Sequence, residues 1–132
     1  MERLLSILVL IVVAGYGCSE DVPLSPPQSW KNYQFRIETR PPMATTGMNE
    51  FLVIANKDGR KPAHDVLVSL RVGETGRWVQ AIQDGHVGVY RRALRVVDPN
   101  NDVLHVHISQ GKEEAVLKFP LNYQQAVAAD SE

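Results

Sequence analysis

Two histidines separated by one residue, His105 and His107, are the pair best suited to metal chemistry. In a strand, alternate side chains point to the same face, which would place the two imidazoles about 6–7 Å apart. The apolar neighbours Leu104, Val106 and Ile108 would then face the core. Such a pair can hold zinc or copper if a neighbouring strand supplies a third ligand. The alternative, which we favour, is a solvated outer face on which histidine is tolerated.

Two methionines and two further histidines fall in or near predicted loops: Met43, Met48, His64 and His86. Thioether and imidazole groups together would suit Cu(I). The four residues lie on different connections and lack a recognisable ligand spacing. We therefore expect them to serve loop and rim packing.

Asp84 and His86, with Ser69 or Ser109 as nucleophile, would be the components of a hydrolytic site. Neither serine stands in the Gly-x-Ser-x-Gly context that exposes a nucleophile on a sharp turn. The Asp84-Gly85 dipeptide is explained by turn chemistry. We therefore predict no catalytic residues and no enzyme.

Aromatic and basic residues give two further expectations. Trp78 begins a predicted strand and is expected to anchor the core, and Trp30 is expected to plug the edge of the fold. Arg91, Arg92 and Arg95 form a basic spot on one strand. We expect solvated strand charge there, with contact to an acidic partner or to anionic headgroups as the alternative.

From residue 33 onward the side chains alternate between apolar and polar, as in half-buried strands. Turn residues separate seven such segments at intervals of about eight to twelve residues. The second segment is apolar almost throughout, which indicates a central strand. The third has Val66, Val68 and Leu70 on one face. The seven predicted strands cover residues 33–40, 50–56, 65–72, 78–82, 88–97, 103–109 and 115–121.

This pattern, with no helical segment after the N-terminal region, predicts an all-β fold, a seven-stranded immunoglobulin-like β-sandwich. Pro120 cannot donate to a ladder, so the last strand should be an edge strand or should end there. Cys18 is the only cysteine, so the disulfide of antibody domains is impossible.

Composition narrows the class of function. The chain has 132 residues, 14 basic and 15 acidic side chains and a formal net charge of −1. A nucleic-acid-binding protein would show a basic stripe, and we therefore predict no nucleic-acid partner. Hydrophobic residues make up 44% of the chain, which is enough for a packed core without disulfides.

The N-terminal region has the plan of an export signal. Arg3 precedes an apolar run over residues 4–14, which is too short to span a bilayer, and Gly15 and Gly17 follow it. The end of this segment resembles the lipobox of bacterial lipoproteins, with matches at Gly17 and Cys18 and departures at the two positions before them. The resemblance implies cleavage before Cys18 and acyl chains on that residue. A secreted protein cut near Gly17 and an uncleaved anchor are the alternatives.

The predicted organisation has four parts. Residues 1–17 form a cleaved signal peptide, and residues 18–30 form a lipidated N-terminus with a proline-rich tether. Residues 31–123 form the sandwich, and residues 124–132 form a flexible tail. The ten residues 20–29, extended at about 3.1 Å each, would reach about 30 Å.

The turn and core motifs resemble those of the YtkA-like and FixH-like domains of bacterial exported and membrane proteins. The matching positions include Gly47-x-Asn49-x-Phe51-x-Val53, Asp58-Gly59-x-x-Pro62, Val66-x-Val68 and Gly88-Val89-Tyr90. The resemblance spans about residues 33–121. It implies an immunoglobulin-like module, in some relatives near copper handling or oxidase assembly. The methionine-rich stretch common after the third strand is missing.

These observations predict a lipid-anchored, non-catalytic protein of the bacterial cell envelope. Its domain would lie on the periplasmic or extracellular side of the membrane. It would bind or scaffold another envelope protein, and we expect no cofactor. The alternative is metal handling, with copper or zinc on His105 and His107, or service as an accessory in oxidase assembly.

Overall fold

A computed structural model describes residues 25–122 of the chain. The predicted signal peptide, Cys18, most of the predicted tether and the predicted tail lie outside the described residues. Residues 25–122 form ten β-strands, and no helix capable of crossing a membrane occurs among them. The strands are β1 (Gln28–Trp30), β2 (Tyr33–Arg40), β3 (Gly47–Lys57), β4 (Lys61–Pro62), β5 (Leu67–Val72), β6 (Val79–Gln80), β7 (Ile82–Gln83), β8 (Val89–Val96), β9 (Val103–Gln110) and β10 (Glu113–Pro120).

The strands form two antiparallel sheets, which confirms the predicted all-β sandwich. The first sheet has the order β1-β2-β3-β8-β7, with β4 paired to β3, and the second has the order β10-β9-β5-β6. The six longer strands lie three in each sheet, in the orders β2-β3-β8 and β10-β9-β5, which correspond to the A-B-E and G-F-C orders of an immunoglobulin-type sandwich. The apolar strand β3 is central, as predicted, because it lies between β2 and β8.

The predicted number of seven strands is wrong, because the described residues contain ten. The short strands β1 and β4 were not predicted, and the predicted strand over residues 78–82 is two strands in different sheets. Its chain changes sheets at Ala81, whose N–H donates to the Val68 carbonyl at 2.8 Å. The residues before Ala81 pair with β5, and those after it pair with β8. Sequence alternation alone cannot show where a strand changes its partner.

The core lies between the two sheets and follows the predicted alternation. In β9 Leu104, Val106 and Ile108 are fully buried, and in β5 Val68 and Leu70 are buried, as is Val66 just before it. The largest side chains of the core are Tyr33, Tyr90, Phe35, Phe51, Phe119, Ile37, Leu70, Leu104 and Ile108. The prediction for the last strand is also confirmed, since β10 is at an edge and ends at Pro120.

One side of the sandwich is closed by the segment that enters it. Trp30 in β1 stacks on Tyr33, with ring centroids 6.0 Å apart, and packs against the core from the edge, in agreement with the prediction. The Gln28 side chain donates to the Lys118 carbonyl and so links β1 to β10 in the other sheet. Part of the predicted tether, Gln28–Trp30, is therefore a strand of the first sheet.

Gly88 fixes the approach of β8 to β3. Its carbonyl accepts from the Ala55 N–H at 2.7 Å, and its φ is 78°. A Cβ at this position would lie 2.5 Å from the Ala55 carbonyl oxygen and 3.1 Å from the Ala63 nitrogen. Gly85 has a similar φ of 61°, but a Cβ there would meet no atom within 4 Å. A substitution at Gly85 therefore tests the cost of the backbone conformation alone, whereas one at Gly88 adds the cost of crowding against Ala55 and Ala63.

We expect Gly88→Ala to destabilise the fold by about 3 kcal/mol, because a left-handed backbone and overpacking against β3 both contribute. The matched variant Gly85→Ala should cost about 1 kcal/mol, from the backbone conformation alone. Urea unfolding of both variants measures the difference. Equal losses would contradict the close approach of Gly88 to Ala55.

Candidate functional site

The predicted histidine pair lies on the outer face of the second sheet, in β9. In the strand register His105 is flanked by Arg71 of β5 and Lys118 of β10, and His107 by Ser69 and Val116. The two side chains share a face, as predicted. They differ in surroundings, because they meet different neighbours across the sheet.

His105 is buried, with 3% of its surface exposed, although the sequence favoured a solvated face. The cause is Trp78, whose ring lies edge-on to His105 and His107 at centroid distances of 6.4 and 5.8 Å. The Arg71 guanidinium lies 4.5 Å from the centre of the same ring, a cation–π contact. The prediction that Trp78 anchors the core is therefore wrong, because its side chain is 41% exposed and covers the outside of the sheet.

The electrostatics around His105 favour a neutral imidazole. Burial lowers the pKa of its side chain below the ordinary 6.5, and the positive charges of Arg71 and Lys118 lower it further, while Glu74 opposes them. Its Nδ1 is buried and has no hydrogen-bond partner among the described residues. Two adjacent cations oppose the approach of a metal ion to this nitrogen.

His107 makes a separate contact, since its Nε2 lies 3.0 Å from Glu114 Oε2. No group of three or more His, Cys, Asp or Glu side chains in residues 25–122 has the arrangement of a metal site. In the described structure the side chain next to both histidines is thus Trp78, which is not a metal ligand. Metal binding by this pair stays a prediction.

The loop candidates are divided between the two ends of the sandwich. His64 and His86 meet, with ring centroids 5.3 Å apart, although they lie on different connections. Met48 is at the start of β3, whereas Ile54, six residues on, pairs with Val89 near His86. At about 3.4 Å per residue the methionine end is about 20 Å away. Within one chain, the Met48 thioether is therefore too far from the His64 and His86 imidazoles to share a metal ion with them.

The components considered for hydrolysis are also separated. Ser69 is the register neighbour of His107, but no hydrogen bond joins a serine to a histidine in the described part of the chain. Asp84 Oδ2 instead accepts from Arg91 Nη1 at 3.3 Å. The absence of enzyme activity stays a prediction.

The feature that sequence reasoning missed is a groove beside β8, on the side opposite β1. Strand β7 pairs with β8 only through Ile82 with Arg91 and Gln83 with Tyr90. A groove of about 500 Å³ lies beside this pairing and extends two residues past it, to Ala93. It is lined by Glu50, Ile82, Gln83, Asp84, Arg91, Arg92 and Ala93.

The backbone next to the groove has an open edge over residues 92–96. The Gly88 carbonyl accepts from β3, whereas the Val89 carbonyl accepts from Asp84 at 2.8 Å, on the β7 side. Because these directions alternate along a strand, the N–H and C=O groups of Ala93 and Arg95 point to the β7 side. Strand β7 does not reach them. Both residues are exposed.

The three arginines of β8 differ in environment. Arg91 donates from Nη2 to Glu50 Oε1 at 2.6 Å, and the partners Glu50 and Asp84 raise the pKa of its guanidinium above the ordinary value. Arg92 alternates with Tyr90 and is half-buried on the inner side, whereas Arg95 is exposed on the outer face. Neither makes a salt bridge with another residue of the range 25–122. Arg91 is solvated as expected, with 40% of its side chain exposed, and its ion pairs with Glu50 and Asp84 were not predicted.

Comparison of this chain with protein-family models, with curated proteins and with solved structures finds no match. The resemblance to the YtkA-like and FixH-like domains stays a prediction. Function must therefore be inferred from the molecule's own geometry.

We expect the stability contribution of the neutral His105 to be complete above pH about 6.5 and to be lost as the pH falls through the lowered folded-state pKa. The variant His105→Phe has no imidazole to protonate at this position, so it should not show this loss of stability. The free energy of unfolding of the wild type, relative to the variant, should therefore fall between about pH 7.5 and pH 5.

Urea unfolding at the two pH values measures this change. Ser69→Ala, an uncharged change on the neighbouring strand, is the matched control and should keep the wild-type pH dependence. A wild-type and His105→Phe pair with the same pH dependence would contradict the burial of a neutral imidazole.

Proposed function

We propose that this chain is a lipid-anchored, non-catalytic binding module of the bacterial envelope, which holds another envelope protein beside β8. The observation that carries the proposal is the open edge over residues 92–96 with its adjoining groove. Proteins usually protect sheet edges by covering, charging or shortening them, because unpaired backbone groups attract other chains. The opposite side of this sandwich is covered by β1.

The surface around the groove suits protein binding. Ile82 is 64% exposed at its rim, and the exposed Val97 follows β8. Apolar side chains bordered by arginine are common in protein interfaces. The cations also supply the electrostatic complementarity that sets the choice of partner.

The anchor is supported by the sequence around Cys18 and by the entry of the chain into the fold. Strand β1 begins at Gln28, so residues 19–27 separate Cys18 from the sheet. Nine residues in an extended polyproline-like chain, at about 3.1 Å each, would span about 28 Å. Acylation of Cys18 would therefore keep the sandwich close to a membrane and to the proteins in it. The resemblance to exported bacterial domains favours the same location.

Metal handling is the second candidate, and the contact between His64 and His86 is the observation that favours it. Both rings are exposed, and neutral imidazoles are good ligands for copper and zinc. Two ligands from one chain would leave coordination positions open for a donor from a partner. For metal handling, the candidate ligands are therefore His64 and His86 in place of His105 and His107.

In a titration of the full chain with Cu(I) or Zn²⁺, we expect His64→Asn or His86→Asn to weaken any binding by about tenfold or more, because one of two ligands is lost. The matched variant His105→Asn should leave the affinity unchanged. Loss of binding in His105→Asn alone would instead place the metal on the second sheet. Competition with a chromogenic chelator measures the affinities.

Site-specific photocrosslinking in bacterial cells that express the chain tests the main proposal. A photoreactive residue in place of Ile82 should label one protein in the membrane fraction, and the same residue in place of Arg36, which is exposed on the outer face of β2, should not. Cys18→Ser should remove most of the label, because the module is released from the membrane. Equal labelling from both positions would contradict the binding surface, and mass spectrometry that finds an unmodified Cys18 in the mature protein would contradict the anchor.

A further inference from the structure

We propose that the open edge of β8 receives an extended acidic segment of the partner, which adds to the first sheet as a new strand. This inference rests on the proposed function and names the chemistry of the partner at that same surface. Addition of a strand to a sheet edge uses main-chain hydrogen bonds for affinity and side chains for specificity. Each of these requirements is met by residues of β8.

The main-chain requirement is met at Ala93 and Arg95. Their N–H and C=O groups point away from β3, beyond the end of β7. They are spaced two residues, or about 7 Å, apart along the strand, which is the repeat of a β-ladder. A segment of four or five residues would pair with this edge and extend the first sheet past the point where β7 stops.

The groove supplies space beside the first part of the open edge, at Arg92 and Ala93. Its lining includes Ala93, whose small side chain leaves room on the outer face beside the edge. It also includes Ile82, which forms an apolar rim. An added strand would continue the line of β7, so its side chains would alternate between the groove and the inner edge of the sandwich. Leu94 is half-buried at that inner edge and offers an apolar contact.

The charge requirement identifies the partner as acidic. Arg91 is engaged by two carboxylates, Glu50 and Asp84, so it offers no free positive charge to a partner. Arg92 and Arg95 have no such partner among the described residues and lie on opposite faces of β8. A strand with carboxylates on both of its faces would meet one arginine on each side of the sheet, and opposite charges on neighbouring strands stabilise pairing.

A second copy of this chain fits the edge less well. Pairing of two β8 edges about a two-fold axis would bring Arg92 and Arg95 of both protomers to the same interface. Like charges on neighbouring strands oppose pairing. The chain's own acidic residues Asp130 and Glu132 are a different source of the same chemistry, and the experiment separates them from a partner.

The test is fluorescence anisotropy with the full chain in detergent micelles. The probe is a labelled synthetic peptide in which valine alternates with aspartate or glutamate, and the control peptide carries lysine at the acidic positions. We expect the acidic peptide to bind and the lysine peptide not to bind. Added salt should weaken the binding, since the charges lie at the surface.

Three variants assign the binding to the edge. Arg95→Glu should weaken the binding of the acidic peptide by about tenfold, because attraction between opposite charges becomes repulsion between like charges. Ala93→Pro removes an N–H that points away from the β3 ladder, and should weaken binding by about fivefold. Arg36→Glu, the same charge change on the outer face of β2, should change the affinity by less than about twofold. If Ala93→Pro fails to fold, Arg95→Glu and Arg36→Glu still decide the question.

Four results would overturn the inference. The first is equal binding of the acidic and lysine peptides, and the second is an equal effect of Arg95→Glu and Arg36→Glu. The third is binding only after deletion of residues 123–132, which would mean that the chain's own end occupies the edge. A specific crosslink from Ile82 in cells without acidic-peptide binding would overturn strand addition and leave the proposed function in place.

Discussion

The arrangement of this sandwich depends on one short stretch, residues 79–83, which serves both sheets. Val79–Gln80 pairs with β5, the chain crosses at Ala81, and Ile82–Gln83 pairs with β8. A stretch of this length can satisfy only a few ladder positions in each sheet. At the opposite edge of the first sheet, β1 pairs with β2, and the Gln28 side chain reaches β10 in the other sheet.

The two surfaces that distinguish this molecule both follow from that crossing. On the first sheet, β7 begins only at Ile82, opposite Arg91, and therefore leaves the edge of β8 open next to Arg92 and Arg95. On the second sheet, the chain that leads into β6 places Trp78 over Arg71 and the histidines of β9. One surface thus has an open strand edge flanked by two arginines, while the other is covered by an aromatic ring. This contrast is why we propose binding at β8 rather than at the predicted histidine pair.

Much of the fold was predictable because period-two alternation reports which side chains share a face. The alternation gave β2 its bounds and placed Leu104, Val106 and Ile108 in the core, where they are fully buried. It could not show the change of sheet at Ala81, which depends on a hydrogen bond to Val68, distant in sequence. Trp78 was misplaced because an apolar ring beside a strand favours the core, whereas the Arg71 cation holds it outside. The open edge was missed because an absent neighbour leaves no mark in the sequence of β8 itself.

Amide hydrogen exchange of the purified full chain, followed residue by residue by NMR, tests the open edge most directly. The account predicts an alternation along β8: the amides of Ala93 and Arg95 exchange fast, while those of Arg92 and Leu94, which face β3, exchange slowly. Slow exchange at all four amides would show that the edge is already covered and would contradict the account.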